Sequence, residues 1–363
     1  MFRIIFALLM INIMNRRNFL QTCSVAPIAF LPGNMSSASL PERNNTFIKP
    51  IIGTSFVFEQ PNQTGGKYWN SLLRNFTTEQ WKTLVFDMHE TGMEYLQMVT
   101  VAYNGKTYYP SKFLPRHDFT CEDPMEAVLS AADECGAKFF ISNDYWSDWA
   151  QVKEGMTDET VWREREKFME EIVEKYAHHK SFYGWYYPHE TELQSVMNDY
   201  AFNYVNRCSK IARSLTPNAL TLIAPYGTRF AKYNEQYVRQ LENLDVSIIA
   251  YQDEVGVFKI KAGEAGQYYE NLYKMHAKAG RSRLWAVVEI LDYEGVAYHS
   301  PGVPAPFDRV LRQLADVSPY VEHTIICQYQ GFMSKPGSIA FAGHKSTEKL
   351  YTDYVQWLRN TNR

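Results

Sequence analysis

Two glutamates have the chemical setting of a catalytic pair. Glu190 lies in the segment GWYYPHETE, where an apolar run ends at Pro188, and Glu289 interrupts the apolar run LWAVVEILDY. A carboxylate inside an apolar run is costly unless it is paired or hydrogen-bonded, so each acid needs a reason to be there. Two facing carboxyl groups, one protonated and one ionised, are what the hydrolysis of a glycosidic bond requires. The two segments therefore raise the hypothesis of a two-carboxylate hydrolase.

Each glutamate also has a structural interpretation. Glu190 can cap the helix that follows its strand, and Glu289 can form an ion pair with an arginine or lysine inside the fold. The catalytic interpretation is favoured because both acids are predicted to stand at the same kind of position, at the end of an apolar strand.

Further polar and aromatic residues follow the ends of similar apolar runs and are predicted to contact a carbohydrate. They are Gln97, Asn143, His189, Tyr226, Tyr251, Gln252, Asp253 and Gln328, with Trp146 and Trp149 in predicted long loops. Indole rings can stack on the flat apolar face of a sugar. The alternatives are that the tryptophans pack, that Gln252 and Asp253 bond their own loop, and that Tyr251 either orients Glu289 or packs.

An alternation of apolar runs and helical patterns must position these residues. Eight strand-like runs follow residue 47, namely IKPIIGTSFVF, EYLQMVTVAY, AKFFISNDYW, SFYGWYYP, ALTLIAPYG, VSIIAYQD, RLWAVVEIL and TIICQYQGF. Between them, apolar residues recur at i, i+3, i+4 and i+7, as on one face of a helix. Thr77 with Gln80 and Asp123 with Glu126 make capping patterns at helix starts.

Nearly continuous apolar strands that alternate with amphipathic helices predict an α/β fold with a parallel sheet covered by helices. Eight such units favour a single (β/α)8 TIM barrel over residues 39–363. The rival is a doubly wound open sheet, but no GxGxxG turn follows the first strand, where IIGTSFVF has one glycine. Active sites of barrels gather at the carboxyl ends of the strands, and the fourth and seventh strands approach the mouth from opposite sides.

The placement of one acid at the end of strand 4 and one at the end of strand 7 resembles the clan A glycoside hydrolases. In that clan the proton donor and the nucleophile come from these two strands. The resemblance implies a retaining reaction with Glu190 as the proton donor and Glu289 as the ionised nucleophile. His189 stands where the clan commonly has an asparagine.

Four separated motifs resemble a single bacterial family. HHKSFYGWYYPHE, DPMEAVLSAADECGAKFF, IIAYQDEVG and LWAVVEI together are similar to domain of unknown function 4434, whose members have a glycoside-hydrolase-like barrel. The resemblance covers nearly the whole chain after the N-terminal segment and implies a sugar-processing barrel. Glu254 follows Gln-Asp in this chain, where the family usually has glycine.

The N-terminal segment has the layout of a bacterial export signal. The arginine pair Arg16-Arg17 precedes a short apolar stretch and the small-residue site Ser36-Ser37-Ala38. We therefore expect residues 1–38 to be a twin-arginine-like signal, with Met14 as the natural start, and the protein to be periplasmic or extracellular without stable membrane insertion after processing. A lipobox ending at Cys23 and an ordinary N-terminus are the alternatives.

Composition excludes some partners. The formal net charge of −3 offers no basic excess for phosphates, so no nucleic-acid partner is expected. Cys121, Cys135, Cys208 and Cys327 have no metal-type spacing, and neither a metal nor a cofactor is expected.

Two other functions stay open. One is a carbohydrate-binding TIM barrel without catalysis. The other is a metal-dependent hydrolase built from His189, Glu190 and Asp144, against which the absence of HxH and HExxH spacing counts.

Overall fold

The structure is a computed structural model and describes residues 47–144, 151–188 and 190–361. The predicted export signal over residues 1–38 and the predicted contact residues Trp146, Trp149 and His189 lie outside these ranges. In the part of the chain that is described, no helix is both long and apolar enough to span a membrane.

Eight parallel strands form a closed barrel, and four further strands form two hairpins. The strands are β1 (Ile51–Phe56), β2 (Tyr95–Met98), β3 (Ala102–Tyr103), β4 (Lys106–Thr107), β5 (Lys138–Ser142), β6 (Phe182–Tyr186), β7 (Leu220–Ile223), β8 (Ile248–Gln252), β9 (Arg283–Glu289), β10 (Leu291–Tyr293), β11 (Gly302–Pro304) and β12 (His323–Cys327). The barrel order is β1-β12-β9-β8-β7-β6-β5-β2, while β3–β4 and β10–β11 are antiparallel hairpins. The predicted (β/α)8 barrel is confirmed, with β6 and β9 as its fourth and seventh strands.

Helices connect the barrel strands on the outside. Those described are α1 (Asn70–Arg74), α2 (Thr78–Glu90), α3 (Pro124–Cys135), α4 (Val152–Thr157), α5 (Glu159–Tyr176), α6 (Asp199–Leu215), α7 (Glu235–Asn243), α8 (Gly266–Ala279), α9 (Phe307–Val317) and α10 (Thr347–Thr361), with a 3-10 turn at Thr228–Phe230. The capping box predicted at α2 is present, since Thr77 Oγ1 accepts from the Gln80 N–H and Gln80 Oε1 accepts from the Thr77 N–H. Local sequence therefore sets where this helix begins.

The strand register decides which side chains face the inside of the barrel. The Tyr251 hydroxyl contacts Tyr237 and His276 on α7 and α8, so the next residue, Gln252, points the opposite way, into the barrel. Residues paired in register share a face. Following the pairs around the barrel puts these polar residues on the inner surface near the carboxyl ends: Ser55, Gln97, Ser142, Tyr186, Gln252, Glu289 and Cys327.

Gly184 in the segment GWYYP leaves space for a neighbouring side chain inside the barrel. A Cβ added there would collide with the Leu220 carbonyl and would lie 2.7 Å from the Phe140 ring. The glycine therefore lets Phe140, on the neighbouring strand β5, occupy the interior beside β6.

Candidate active site

The Glu190 carboxylate is held by two side chains from the inner surface. The Tyr186 hydroxyl donates to Oε1 at 2.9 Å, and the Gln252 amide Nε2 donates to Oε2 at 2.9 Å. The same Nε2 donates to the Ala224 carbonyl at 2.8 Å, so two acceptors fix the orientation of the Gln252 amide. Because Tyr186 and Gln252 face into the barrel, Glu190 reaches over its mouth. Helix α6 begins only at Asp199, so Glu190 does not cap it.

Glu289 is the last residue of β9 and is 2% exposed. Its Oε2 accepts from the Val257 N–H at 3.0 Å, and its own N–H donates to Asp253 Oδ1 at 3.1 Å. A Cβ at Gly256 would lie 2.8 Å from the Glu289 Cβ, so glycine lets the loop after β8 close against this side chain. Both the side chain and the backbone of Glu289 are thus fixed by the loop after β8.

Asp253 has the contacts of a positioning residue. It is fully buried, and its carboxylate accepts from the N–H groups of Val255 and Glu289 and from Gln313 Nε2 at 2.7 Å. Burial raises the Asp253 pKa to about 6, although the hydrogen bonds from Gln313 and the two N–H groups and the charge of Arg309 oppose the rise. Gln313 Nε2 also donates to the Glu289 carbonyl at 3.0 Å, so helix α9 supports both residues.

Tyr251 lies in a polar chain behind β8. Its hydroxyl is 2.6 Å from the Tyr237 hydroxyl and 2.9 Å from His276 Nε2, while His276 Nδ1 is 3.1 Å from the Ser282 carbonyl. Burial lowers the His276 pKa to about 4, which favours a neutral ring with Nδ1–H donating and Nε2 accepting. These contacts match the packing alternative for Tyr251.

Asn143 and Gln328 also bond protein groups. Asn143 Nδ2 donates to Cys208 Sγ at 3.1 Å, and the Tyr204 hydroxyl donates to Asn143 Oδ1 at 3.4 Å, both partners being on α6. Gln328 Nε2 donates to the Gln330 carbonyl at 3.0 Å. Asn143 therefore lies against the helical layer, on the other side of β5 from the inward-facing Ser142.

An ion cluster supports the loop that contains Glu254. Glu254 has φ +53°, a left-handed conformation that glycine adopts more readily than other residues. Its carboxylate is bound by Arg229, which also binds Glu192, and lies 3.8 Å from Lys259 Nζ. Lys259 Nζ is 5.6 Å from the ring of the half-buried Tyr226. Arg229 was not predicted from the sequence, although it follows the apolar run ALTLIAPYG.

Gln97 and Ser55 form a contrasting polar pair. They are register neighbours on β2 and β1, both fully buried and inward-facing. The amide nitrogen and oxygen of Gln97 and the Ser55 hydroxyl have no hydrogen-bond partner among the residues that the structure describes. Such groups each cost roughly 1–3 kcal/mol unless a ligand or water completes them. Gln97 was predicted from sequence; Ser55 was missed, although it interrupts the run IIGTSFVF.

A group that could hold a metal lies away from this surface. Within the described ranges, Glu126, His178 and His179 place one ligand atom each within 4.8 Å of one another. His179 also bonds Asp133 at 2.8 Å, which ties α3 to the turn after α5. The group lies outside the barrel interior and has no contact with Glu190 or Glu289 in the described part of the chain.

Comparison with solved structures finds proteins with a similar barrel. A Bacteroides thetaiotaomicron VPI-5482 protein, provisionally named as an alpha-L-fucosidase, has a TM-score of 0.64 and 19% identity over 92% of this chain and 99% of its own. At this identity the likeness is one of fold.

Two further solved structures are less similar to this chain. The GH2 beta-galacturonidase of Eisenbergiella tayi has a TM-score of 0.49 and 14% identity, covering 85% of this chain and 51% of its own. A glycoside hydrolase family 5 protein from Bacteroides vulgatus ATCC 8482 has a TM-score of 0.47 and 13% identity over 80% and 63%. No curated protein gives a significant sequence match.

A family match covers most of the chain and agrees with the resemblance read from four motifs. Residues 47–340 match the family described as "Domain of unknown function (DUF4434)", a range that contains the barrel strands, Glu190 and Glu289. The chain therefore belongs to the DUF4434 family and has the TIM-barrel fold of its glycoside hydrolase neighbours.

Proposed function

We propose that the protein hydrolyses a glycosidic bond with Glu190 and Glu289 in a retaining reaction. The observation that carries the proposal is that both glutamates are held at one barrel mouth by adjacent residues of β8 and its loop. Gln252 binds the Glu190 carboxylate, and Asp253 binds the backbone of Glu289. Positioned acids at the ends of the fourth and seventh strands are what a two-carboxylate mechanism needs.

Glu289 is the proposed nucleophile. It is the last residue of a strand, so its backbone is fixed. Its carboxylate accepts a hydrogen bond from the Val257 N–H, which favours the ionised form. In the first step it attacks the anomeric carbon and the bond to the leaving oxygen breaks. Water then displaces Glu289 in the second step, which restores the original anomeric configuration.

Glu190 is the proposed proton donor. The Gln252 amide nitrogen can only donate, so Oε2 of Glu190 stays an acceptor. The Tyr186 hydroxyl can donate or accept, so Oε1 can carry the proton and still keep a hydrogen bond. Glu190 therefore has partners in both states that the reaction requires: it protonates the leaving oxygen first and then takes a proton from the attacking water.

Gln97 and Ser55 are the proposed donors and acceptors for sugar hydroxyls on the opposite part of the inner surface. Their incomplete hydrogen bonding among the described residues supports this role. Since both are fully buried, substrate entry has to open the surface above them. The predicted contacts of Trp146, Trp149 and His189 are part of the proposal, as is export of the protein through residues 1–38.

The test is hydrolysis of a panel of aryl glycosides and oligosaccharides by the wild type, Glu190→Gln and Glu289→Gln. We expect each variant to lose roughly 10³-fold or more in kcat on whichever substrate the wild type cleaves. Glu166→Gln, an exposed position on α5, is the control and should keep full activity. Sugar binding without turnover by the wild type would support the carbohydrate-binding alternative instead.

A further inference from the structure

An aromatic side chain projects into solvent beside the proposed nucleophile. Phe258 lies in the loop after β8 and is 56% exposed. Its ring meets Tyr293 edge-on at 6.2 Å, and Tyr293 meets Tyr298 edge-on at 5.9 Å. We call these three residues the aromatic rim. Tyr293 belongs to β10 and Tyr298 to the turn between β10 and β11, so the rim joins the loops that follow β8 and β9.

The backbone at this rim is strained. Phe258 has φ +60° and Tyr298 has φ +68°, values that bulky residues rarely adopt. Together with Glu254, they place three of the described non-glycine residues with left-handed φ in the loops after β8 and β9. Backbone strain of this kind concentrates at functional sites. The fold therefore keeps the apolar Phe258 ring exposed to water and its backbone in an unfavourable conformation.

The same loop holds Glu289. Val257 donates its N–H to Glu289 Oε2 at 3.0 Å, and Phe258 is the next residue. The Phe258 N–H donates to the Val255 carbonyl at 3.1 Å, which closes a tight turn around this bond. Phe258 is thus adjacent in the chain to the residue that holds the Glu289 carboxylate, and their Cα atoms are about 3.8 Å apart.

We infer that the aromatic rim stacks on the apolar face of a pyranose unit adjacent to the one that reacts at Glu289, so that the substrate is an oligosaccharide or polysaccharide. This inference rests on the proposed function of the same site. Tyr293 packs against the Phe258 ring, and Tyr298 packs against Tyr293. The exposed Phe258 ring supplies the stacking surface. A glycoside of a small alcohol would leave this surface uncovered.

Binding and turnover test the inference separately. Retardation of the full chain in native gels that contain xylan, mixed-linkage β-glucan, galactomannan or pectin measures binding without catalysis. We expect Phe258→Ala to weaken retardation by the polysaccharide that retards the wild type by roughly 10-fold in apparent Kd. Phe258→Trp, which keeps a stacking face, should restore it. Phe113→Ala is the matched control, since Phe113 is 54% exposed in a different loop.

A single-sugar probe separates the rim from the proposed catalytic pair. With glycosyl fluorides, which have no neighbouring sugar, Phe258→Ala should keep the wild-type kcat/KM, while its KM for oligosaccharides rises about 10-fold. An equal loss on both substrates, unchanged polysaccharide binding in Phe258→Ala, or no retardation of the wild type by any polysaccharide would overturn the inference. Full activity of Glu289→Gln would refute the proposed function and leave the binding result standing.

Discussion

The two parts of the barrel's inner surface are built on opposite hydrogen-bonding principles. Across β6 to β9, Tyr186, Gln252 and Val257 all donate to the two glutamates. On β1 and β2, Ser55 and Gln97 are as deeply buried, yet their side chains have no partner within the described residues. The first region is organised before any ligand arrives, and the second gains its hydrogen bonds only when a ligand or water supplies them.

This difference has an energetic meaning. A buried hydrogen bond contributes about 1 kcal/mol net, whereas a buried polar atom left unpaired costs roughly 1–3 kcal/mol. The unpaired polar side chains of the β1–β2 region therefore lower the stability of the protein, as residues of binding sites often do. Substitutions of comparable residues in the two regions should change stability in opposite directions.

The largest effect is expected at Gln252. Gln252→Leu removes the donor to Glu190 Oε2 and to the Ala224 carbonyl, so we expect kcat/KM to fall roughly 100-fold. The alkaline limb of the pH–rate profile should move to higher pH, because the ionised form of Glu190 loses a hydrogen bond. Steady-state kinetics across pH checks both. A loss of activity with an unshifted profile would mean that Gln252 acts only through packing.

A pH-dependent effect is expected at Asp253. Its pKa is raised to about 6 in the fold against 3.8 ordinarily, so its contribution to stability is complete below about pH 4 and is lost as the pH rises through about 6. The loss is on the order of 3 kcal/mol. Asp253→Asn does not ionise and should escape it. Urea unfolding of the wild type and variant between pH 4 and 7 measures the difference, and two parallel curves would contradict the raised pKa.

The smallest effect compares two buried glutamines. Gln97→Met removes unpaired amide atoms at nearly constant volume and should raise the unfolding free energy by about 1 kcal/mol. Gln313→Met is the matched control, because Gln313 donates to Asp253 and to the Glu289 carbonyl. It should lower the unfolding free energy by about 1–2 kcal/mol. Destabilisation of similar size in both variants would show that Gln97 has a partner in the folded protein.

The fold was predictable because its signals are local. Continuous apolar strands and capping patterns such as Thr77 with Gln80 fix the elements, and eight repeats of the unit favour closure. Glu190 and Glu289 were proposed as the catalytic pair because acids at strand ends are conspicuous in the sequence. The direction in which side chains point was harder to predict from the sequence. Tyr251, Gln252 and Asp253 are consecutive, yet only Gln252 faces inward, and a shift of one residue reverses that assignment.

The supporting contacts of the site could not be read from the sequence. Val257 acts through its backbone N–H, and Gln313 reaches Asp253 from a helix 60 residues away in sequence. Tyr186 was inconspicuous among the aromatic residues of GWYYP, although its hydroxyl binds Glu190. Such contacts depend on strand register and helix packing, which become known only when the barrel is closed.

The most direct test of the proposed pair is to trap the glycosyl-enzyme intermediate. The intact protein is incubated with activated 2-deoxy-2-fluoro glycosides matching the sugar that it cleaves, digested with trypsin, and the labelled peptide is identified by mass spectrometry. The two candidates fall on different peptides, residues 284–309 for Glu289 and residues 181–207 for Glu190. The account predicts a single label on Glu289. A label on Glu190, or turnover with inversion and no label, would contradict it.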